Sequence, residues 1–144
     1  MMTPLGDPGT FINDDKKPTL IIDEATATPL DTGSRTGDIS IPQLHVPKTK
    51  VHIVIIGNYT AAEARPMPKT ALMACFTNTF IIRGNYHMSP EMNGPEVFFE
   101  GRGIFFPVTV ADIFNHKQLT NPIEGNAELL YINGALVEML YEDN

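Results

Sequence analysis

From residue 51 to the end of the chain, apolar residues occur in short runs separated by turn residues, without the spacing of an amphipathic helix. Runs of this length predict β-strands. Two of them, 51–56 and 71–76, are apolar at nearly every position, which predicts strands buried on both faces. A small barrel has only one interior. The sequence therefore predicts surplus apolar faces that need cover from another segment or another subunit.

The predicted fold class is all-β: a small, partly open barrel of five or six strands over residues 50–144, preceded by an extended, proline-rich arm over residues 1–49. The division rests on composition. Residues 1–50 hold six of the 12 prolines but only one of the 12 aromatic residues, Phe11. Without large side chains this arm cannot build a core of its own.

The arm nevertheless contains two short apolar stretches, residues 19–23 and the alternating pair Ile39 and Ile41, which predict short strands. One interpretation is a solvated tail. The other is an arm that docks through these stretches on its own barrel or on a neighbouring subunit.

Charge and cysteine content restrict the function classes. The chain has 17 acidic and 10 basic residues, a net charge of -7 and a pI near 4.9, which opposes broad, nonspecific binding of nucleic acid. Its one cysteine, Cys75, excludes an internal disulfide, and the four histidines lack metal-ligand spacing. We expect no cofactor, no bound metal and no membrane span. Residues 1–15 show no signal-peptide pattern, so we expect a cytoplasmic protein.

A predicted strand over residues 79–88 carries the candidate ligand-binding residues. One face is predicted as core and consists of Phe80, Ile82, Tyr86 and Met88. The other face is mostly polar and consists of Thr79, Ile81, Arg83, Asn85 and His87, of which Arg83, Asn85 and His87 form a polar row. Such a row has the chemistry to hold an anion or a carboxylate, and an ordinary solvated face is the alternative. Arg102, between Gly101 and Gly103, adds one cation at a predicted glycine-rich hairpin.

The strongest local signal is Asn133-Gly134 between the apolar runs 128–132 and 135–140. It predicts a hairpin with a type I′ turn, and with both residues at positive φ. Before it, residues 111–114 predict a short helical turn. Pro107 predicts that its strand lies at an edge or is bulged there.

Two stretches resemble the motifs of Sm-like small β-barrels. Arg83-Gly84, followed by Tyr86 and by Met92-Asn93, is similar to the first motif, and residues 130–135 are similar to the second. The resemblance covers residues 70–141 and implies a small barrel that binds RNA as a ring. The first motif's Asp is not matched, with Pro90 and Glu91 nearby, and Asn133 replaces the Arg of the second motif. The same region also resembles an uncharacterised family of small bacterial β proteins, which implies no function.

These observations favour a non-enzymatic assembly or protein-binding module. We expect it to self-associate through strand edges and its N-terminal arm, with a second copy as the partner and another protein as an alternative partner of the arm. Two alternatives come from other classes: an Sm-like RNA-binding ring, and an enzyme that binds a small molecule or anion through the row from Arg83 to His87.

Overall fold

The computed structural model describes residues 8–30, 37–57, 67–93, 105–115, 119, 123 and 125–142. The described residues form one short helix, eight strands and two 3-10 turns. The helix is α1 (Pro8–Ile12), and the 3-10 turns are Lys48–Lys50 and Gly134–Leu136. The strands are β1 (Thr19–Ala27), β2 (Ile39–Pro47), β3 (Ile53–Ile55), β4 (Lys69–Phe76), β5 (Phe80–Met88), β6 (Phe105–Asn115), β7 (Gly125–Asn133) and β8 (Met139–Glu142).

The strands form two antiparallel sheets. β1 pairs with β2, which confirms the two strands predicted within the arm. The other six strands form one sheet in the order β3-β7-β6-β5-β4-β8. Its two edge strands, β3 and β8, are not paired with each other, so the sheet does not close within the described part of the chain. The prediction of an all-β, partly open fold is confirmed.

The connection from β7 to β8 shows that the six-stranded sheet is strongly curled. Asn133 ends β7 level with Phe105, whereas Met139 begins β8 level with Phe114, near the other end of β6. In a flat sheet Asn133 and Met139 would lie roughly 35 Å apart, because strands are spaced about 4.8 Å apart and rise about 3.3 Å per residue. The short connection between them reaches at most about 21 Å. The strands therefore bend until the end of β7 approaches the start of β8.

One sharp irregularity lies at Gly84, where β5 faces a bulge in β6. The register between the two strands shifts between Arg83 and Asn85. A Cβ atom on Gly84 would lie 2.7 Å from Val108 Cγ1 and 3.0 Å from the Cα atom of Ala111, so the site requires glycine. Val110, in the bulge, has a φ of 50°. The alternation of inward-facing and outward-facing residues along β6 reverses at this bulge, since Val108 and Ala111 are three positions apart and both are buried.

The inner face of the sheet forms the main core. Along β5, alternate residues from Phe80 to Met88 are buried while Arg83, Asn85 and His87 are half-buried on the outer face, which confirms the predicted alternation. The core consists of Met73, Cys75, Phe80, Ile82, Tyr86, Met88, Phe106, Val108, Ala111, Ile113, Ala127, Leu130 and Ile132.

A second apolar cluster lies on the outer face and is covered by the arm of the same chain. Ile12 of α1 and Leu20 of β1 pack with Phe105, Leu129 and Tyr131 of the sheet. We call these three sheet residues the covered corner. Part of the surplus apolar surface predicted from the sequence is thus buried in cis.

Polar contacts hold the arm over the covered corner. The side chain of Asn13 pairs with the backbone of Phe105: Nδ2 donates to the carbonyl oxygen at 2.9 Å, and Oδ1 accepts from the amide at 2.9 Å. Lys48 donates from Nζ to the carbonyl oxygen of Asp14 at 3.1 Å and from its amide to the carbonyl oxygen of Pro18 at 2.9 Å. These bonds fix the segment between α1 and β1 at both of its ends.

The predicted type I′ hairpin at Asn133-Gly134 is wrong. Asn133 has a φ of -76°, Gly134 begins a 3-10 turn, and β7 and β8 pair with different strands. The reason is a buried amide. Asn133 Nδ2 donates to the carbonyl oxygens of Val51 at 3.0 Å and Lys48 at 3.3 Å, and its Oδ1 accepts from the amide of Ala135 at 2.9 Å. The side chain therefore ties the segment 48–51 to the segment 133–135 instead of closing a two-residue turn.

The predicted helical turn at residues 111–114 is also wrong, because these residues continue β6 and pair with both β5 and β7. Tertiary pairing outweighs local sequence preference here. Pro107 lies in an inner strand, where it pairs with Tyr131 of β7. The register with β5 ends one residue away, at Val108, so the missing amide interrupts no described pair with β5.

The glycine-rich hairpin that contains Arg102 lies outside the described residues. Among the described residues, no helix is long and apolar enough to cross a membrane.

Candidate functional site

The outer face of β5 brings the polar row of Arg83, Asn85 and His87 together on adjacent outward positions. Its neighbours come from the flanking strands. Arg83 is level with Asp112 of β6, and Asn85 is level with Thr109. On the other side, Thr70 of β4 is level with His87. The predicted row therefore exists, and it stands among other polar side chains.

His87 is held by a hydrogen bond at each ring nitrogen. Nδ1 lies 2.8 Å from the carbonyl oxygen of Met67, and Nε2 lies 2.7 Å from Thr109 Oγ1. Because a carbonyl oxygen only accepts, Nδ1 carries a proton and donates it. In the neutral ring, Nε2 then accepts from the Thr109 hydroxyl. His87 thus connects the segment before β4 with β6 across β5.

This arrangement has the form of an activated hydroxyl, with a base beside a nucleophile and a third group that orients the base. Thr109 is only 5 % exposed, however. A hydroxyl so enclosed is poorly placed to attack a substrate, so the contacts of His87 are better explained as a connection between strands than as catalysis.

Arg83 is paired in the strand register with Asp112, a residue that carries a carboxylate. Asp112 is its neighbour on β6, and with the amide of Asn126 in its favoured orientation, Asn126 Nδ2 donates to Asp112 Oδ1 at 2.7 Å. A neighbouring carboxylate offsets the field of the guanidinium for an incoming anion. Arg102, the other cation predicted for this site, lies outside the described residues, so the structure does not place it beside Arg83.

Asn133 and Gly134, predicted as turn and interface residues, lie in the connection from β7 to β8. Asn133 has no exposed surface and serves the internal bonds described above. The Asn133 side chain is therefore taken up by internal bonds and does not form the predicted type I′ turn.

The feature that the sequence missed is an apolar row across four strands. Met139 of β8, Phe76 of β4, Ile81 of β5 and Phe114 of β6 are level with one another in the sheet register. Their burial differs from that of the core-facing positions, since Phe114 is 48 % exposed, Met139 is 57 % exposed, and the other two are half-buried. We call these four residues the apolar row.

Tyr141 extends this surface along β8. It is level with Ala74 of β4, two residues from Met139 and on the same face, and it is 61 % exposed. No local sequence pattern could reveal the row, because its members are far apart in the chain and meet only through the pairing of β8 with β4.

Cys75 lies on the opposite, inner face of β4. Burial raises the pKa of its thiol to about 12, so the thiol is protonated at neutral pH. Burial also raises the pKa of Tyr86 well above its ordinary value, and the Tyr86 hydroxyl donates to the carbonyl oxygen of Ile82 at 2.9 Å. A buried, protonated thiol is a poor nucleophile.

No group of three His, Cys, Asp or Glu side chains suited to a metal ion occurs in the part of the chain that the structure describes. Comparisons of the chain with protein-family models, curated proteins and solved structures find no match.

Proposed function

We propose that the protein is a non-enzymatic assembly module that self-associates through the outer face of its six-stranded sheet. The observation that carries this proposal is the apolar row. Its four side chains form one continuous line across β8, β4, β5 and β6, and Phe114 and Met139 are about half exposed. A continuous exposed apolar surface is typical of a protein interface.

A second copy is the simplest partner for this row. When two identical rows meet about a twofold axis, each apolar side chain faces apolar surface. Two sheets packed face to face lie about 10 Å apart, which suits the large side chains of Phe76, Phe114 and Met139. Of the two docking sites that the sequence left open for the arm, its own sheet and a neighbouring subunit, Ile12 and Leu20 pack on the first.

The polar row supports this proposal more than the enzymatic alternative. Both ring nitrogens of His87 are engaged, Nδ1 with the carbonyl oxygen of Met67 and Nε2 with Thr109 Oγ1. Arg83 is level with Asp112 of β6. These contacts connect strands on the same outer face as the apolar row and give that face a fixed shape. A rigid surface loses less conformational entropy on association than a mobile one.

Sedimentation velocity across micromolar to submillimolar protein concentrations tests the proposal. We expect the wild-type chain to self-associate and the Phe114→Ser variant to stay monomeric. Ile21→Ser is the matched control, because Ile21 is 47 % exposed, like Phe114, but lies in β1 outside the row. A wild-type monomer at every concentration, or equal weakening by the two variants, would contradict the proposal.

A further inference from the structure

The edge of β8 offers backbone hydrogen-bonding groups as well as side chains. β8 ends the strand order of the six-stranded sheet and pairs with β4 on one side, and its other side has no strand partner among residues 8–30, 37–57, 67–93, 105–115 and 125–142. An open strand edge presents amide and carbonyl groups that an added strand satisfies. Strand addition of this kind is a recurring way to recognise extended peptides.

The side chains of β8 define which strand would fit. Met139 and Tyr141 are exposed on the outer face, whereas Leu140 packs against the core. A strand added beside β8 places alternate residues next to Met139 and Tyr141, with cross-strand neighbours about 4.5–5.5 Å apart. Apolar residues at these two positions would extend the apolar surface by one further strand.

The charges near the two ends of β8 indicate which residues an added strand should carry at its own two ends. Glu138, immediately before β8, and Glu142, its last residue, are both exposed, and the whole chain carries a net charge of -7. If a second copy paired antiparallel with β8 about Leu140, Glu138 would lie opposite Glu142 of that copy at both ends. Like charges directly opposite each other destabilise a strand pair. Lysine or arginine at the same positions would instead be attracted.

We propose that the β8 edge binds an extended segment of another protein that has a basic residue, an apolar residue, any residue, an apolar residue and a basic residue in sequence. This pattern reads the same from either end, so it suits both strand directions. The site differs from the proposed self-association surface, because it uses the backbone of β8 and the carboxylates of Glu138 and Glu142, which that surface does not require.

Binding of synthetic peptides to the full-length chain tests this inference. The probe is a fluorescent peptide with the core Lys-Val-Thr-Val-Lys, and the matched control has the core Glu-Val-Thr-Val-Glu. By fluorescence anisotropy we expect the basic peptide to bind on the order of tenfold more tightly than the acidic one, and its affinity to fall as salt is raised. N-methylation of alternate amides on the side facing β8 should abolish binding, because strand addition needs those donors.

Variants of the protein complete the test. The double variant Glu138→Gln, Glu142→Gln should bind the basic peptide roughly fivefold more weakly than wild type. Phe114→Ser should bind it like wild type even though it is expected not to self-associate, which separates this inference from the proposed function. Equal binding of the two peptides, or no effect of the double variant, would overturn the inference. It would also fail if self-association alone, without peptide, protected the Tyr141 amide from hydrogen exchange.

Discussion

The covered corner and the apolar row lie on the same face of the same sheet, yet α1 and β1 cover only the corner. The corner residues Phe105, Leu129 and Tyr131 are all buried, whereas Phe114 and Met139 of the row are about half exposed. Burial of apolar surface is not directional, so by itself it does not determine which area an arm covers. Polar contacts determine which area the arm covers, since the Asn13 side chain bonds to the backbone of Phe105 in the corner.

The largest difference between the two areas should appear in stability. Leu129 is fully buried under the arm, so Leu129→Ala should lower the free energy of unfolding by about 2–5 kcal/mol, from lost transfer energy and a cavity. Phe114→Ala in the row should cost less than about 1 kcal/mol in the monomer, since its side chain is already half exposed. Urea denaturation of both variants at low protein concentration measures this. Equal losses would mean that the row is buried in the monomer.

The bulge opposite Gly84 lies between the two areas, and we expect any side chain at position 84 to destabilise the fold. Gly84→Ala places a Cβ atom against Val108 and the backbone of Ala111, and we expect a loss of about 1–3 kcal/mol. Gly57→Ala is the control, because nothing lies within 4 Å of a Cβ atom there. Thermal melts of the two variants decide the matter. A harmless Gly84→Ala would argue against the close approach of β5 and β6 at the bulge.

Removing the polar anchor should release the cover without unfolding the sheet. Asn13→Ala deletes two hydrogen bonds to the Phe105 backbone, and we expect a loss of about 1–2 kcal/mol. Hydrogen exchange should accelerate at the Phe105 amide and in β1, with no change in β5. Ser40→Ala, at an exposed position of β2, provides the control. Uniform acceleration across β5 and β6 would show instead that the arm is part of the global folding unit.

The inner face beneath the apolar row should make the protein sensitive to alkali. The folded-state pKa of Cys75 is raised to about 12, above its ordinary value of 9.0, so its contribution to stability is fully present below pH 9 and is lost as pH rises through 12. By pH 10 the loss should be about 1.4 kcal/mol. Cys75→Ala should lower stability at pH 7 but show a shallower decline from pH 8 to pH 10, measured by urea denaturation. Parallel pH profiles would show that the thiol does not contribute.

Local sequence patterns predicted correctly those strands in which core-facing and outward-facing residues alternate regularly. The alternation in β5 is correct because one face is core over the whole strand, whereas the other face carries Arg83, Asn85 and His87. Asn133-Gly134 failed because the strongest short-range turn signal was outweighed by bonds to Lys48 and Val51, more than 80 residues away. The bulge at Val110 also left no local trace, since a β-branched residue is an unusual choice at positive φ.

The candidate surface shows the same limit. The sequence identified the polar row because its residues alternate within a single strand. It could not identify the apolar row, whose members are brought level by the pairing of β8 with β4 and of β5 with β6. Predicting that row requires knowing that the chain crosses the curled sheet after β7, so that β8 pairs with β4 at the opposite edge.

Methionine oxidation tests the central claim, that the apolar row is the surface through which the protein associates. Met139 lies in the row and Met67 outside it, and they are 57 % and 51 % exposed, so free monomers should oxidise both at similar rates. Peroxide oxidation followed by peptide mass spectrometry, repeated over a range of protein concentrations, gives each rate. We predict that Met139 becomes protected as concentration rises while Met67 does not. Unchanged oxidation of Met139 under conditions where the molar mass shows association would contradict the account.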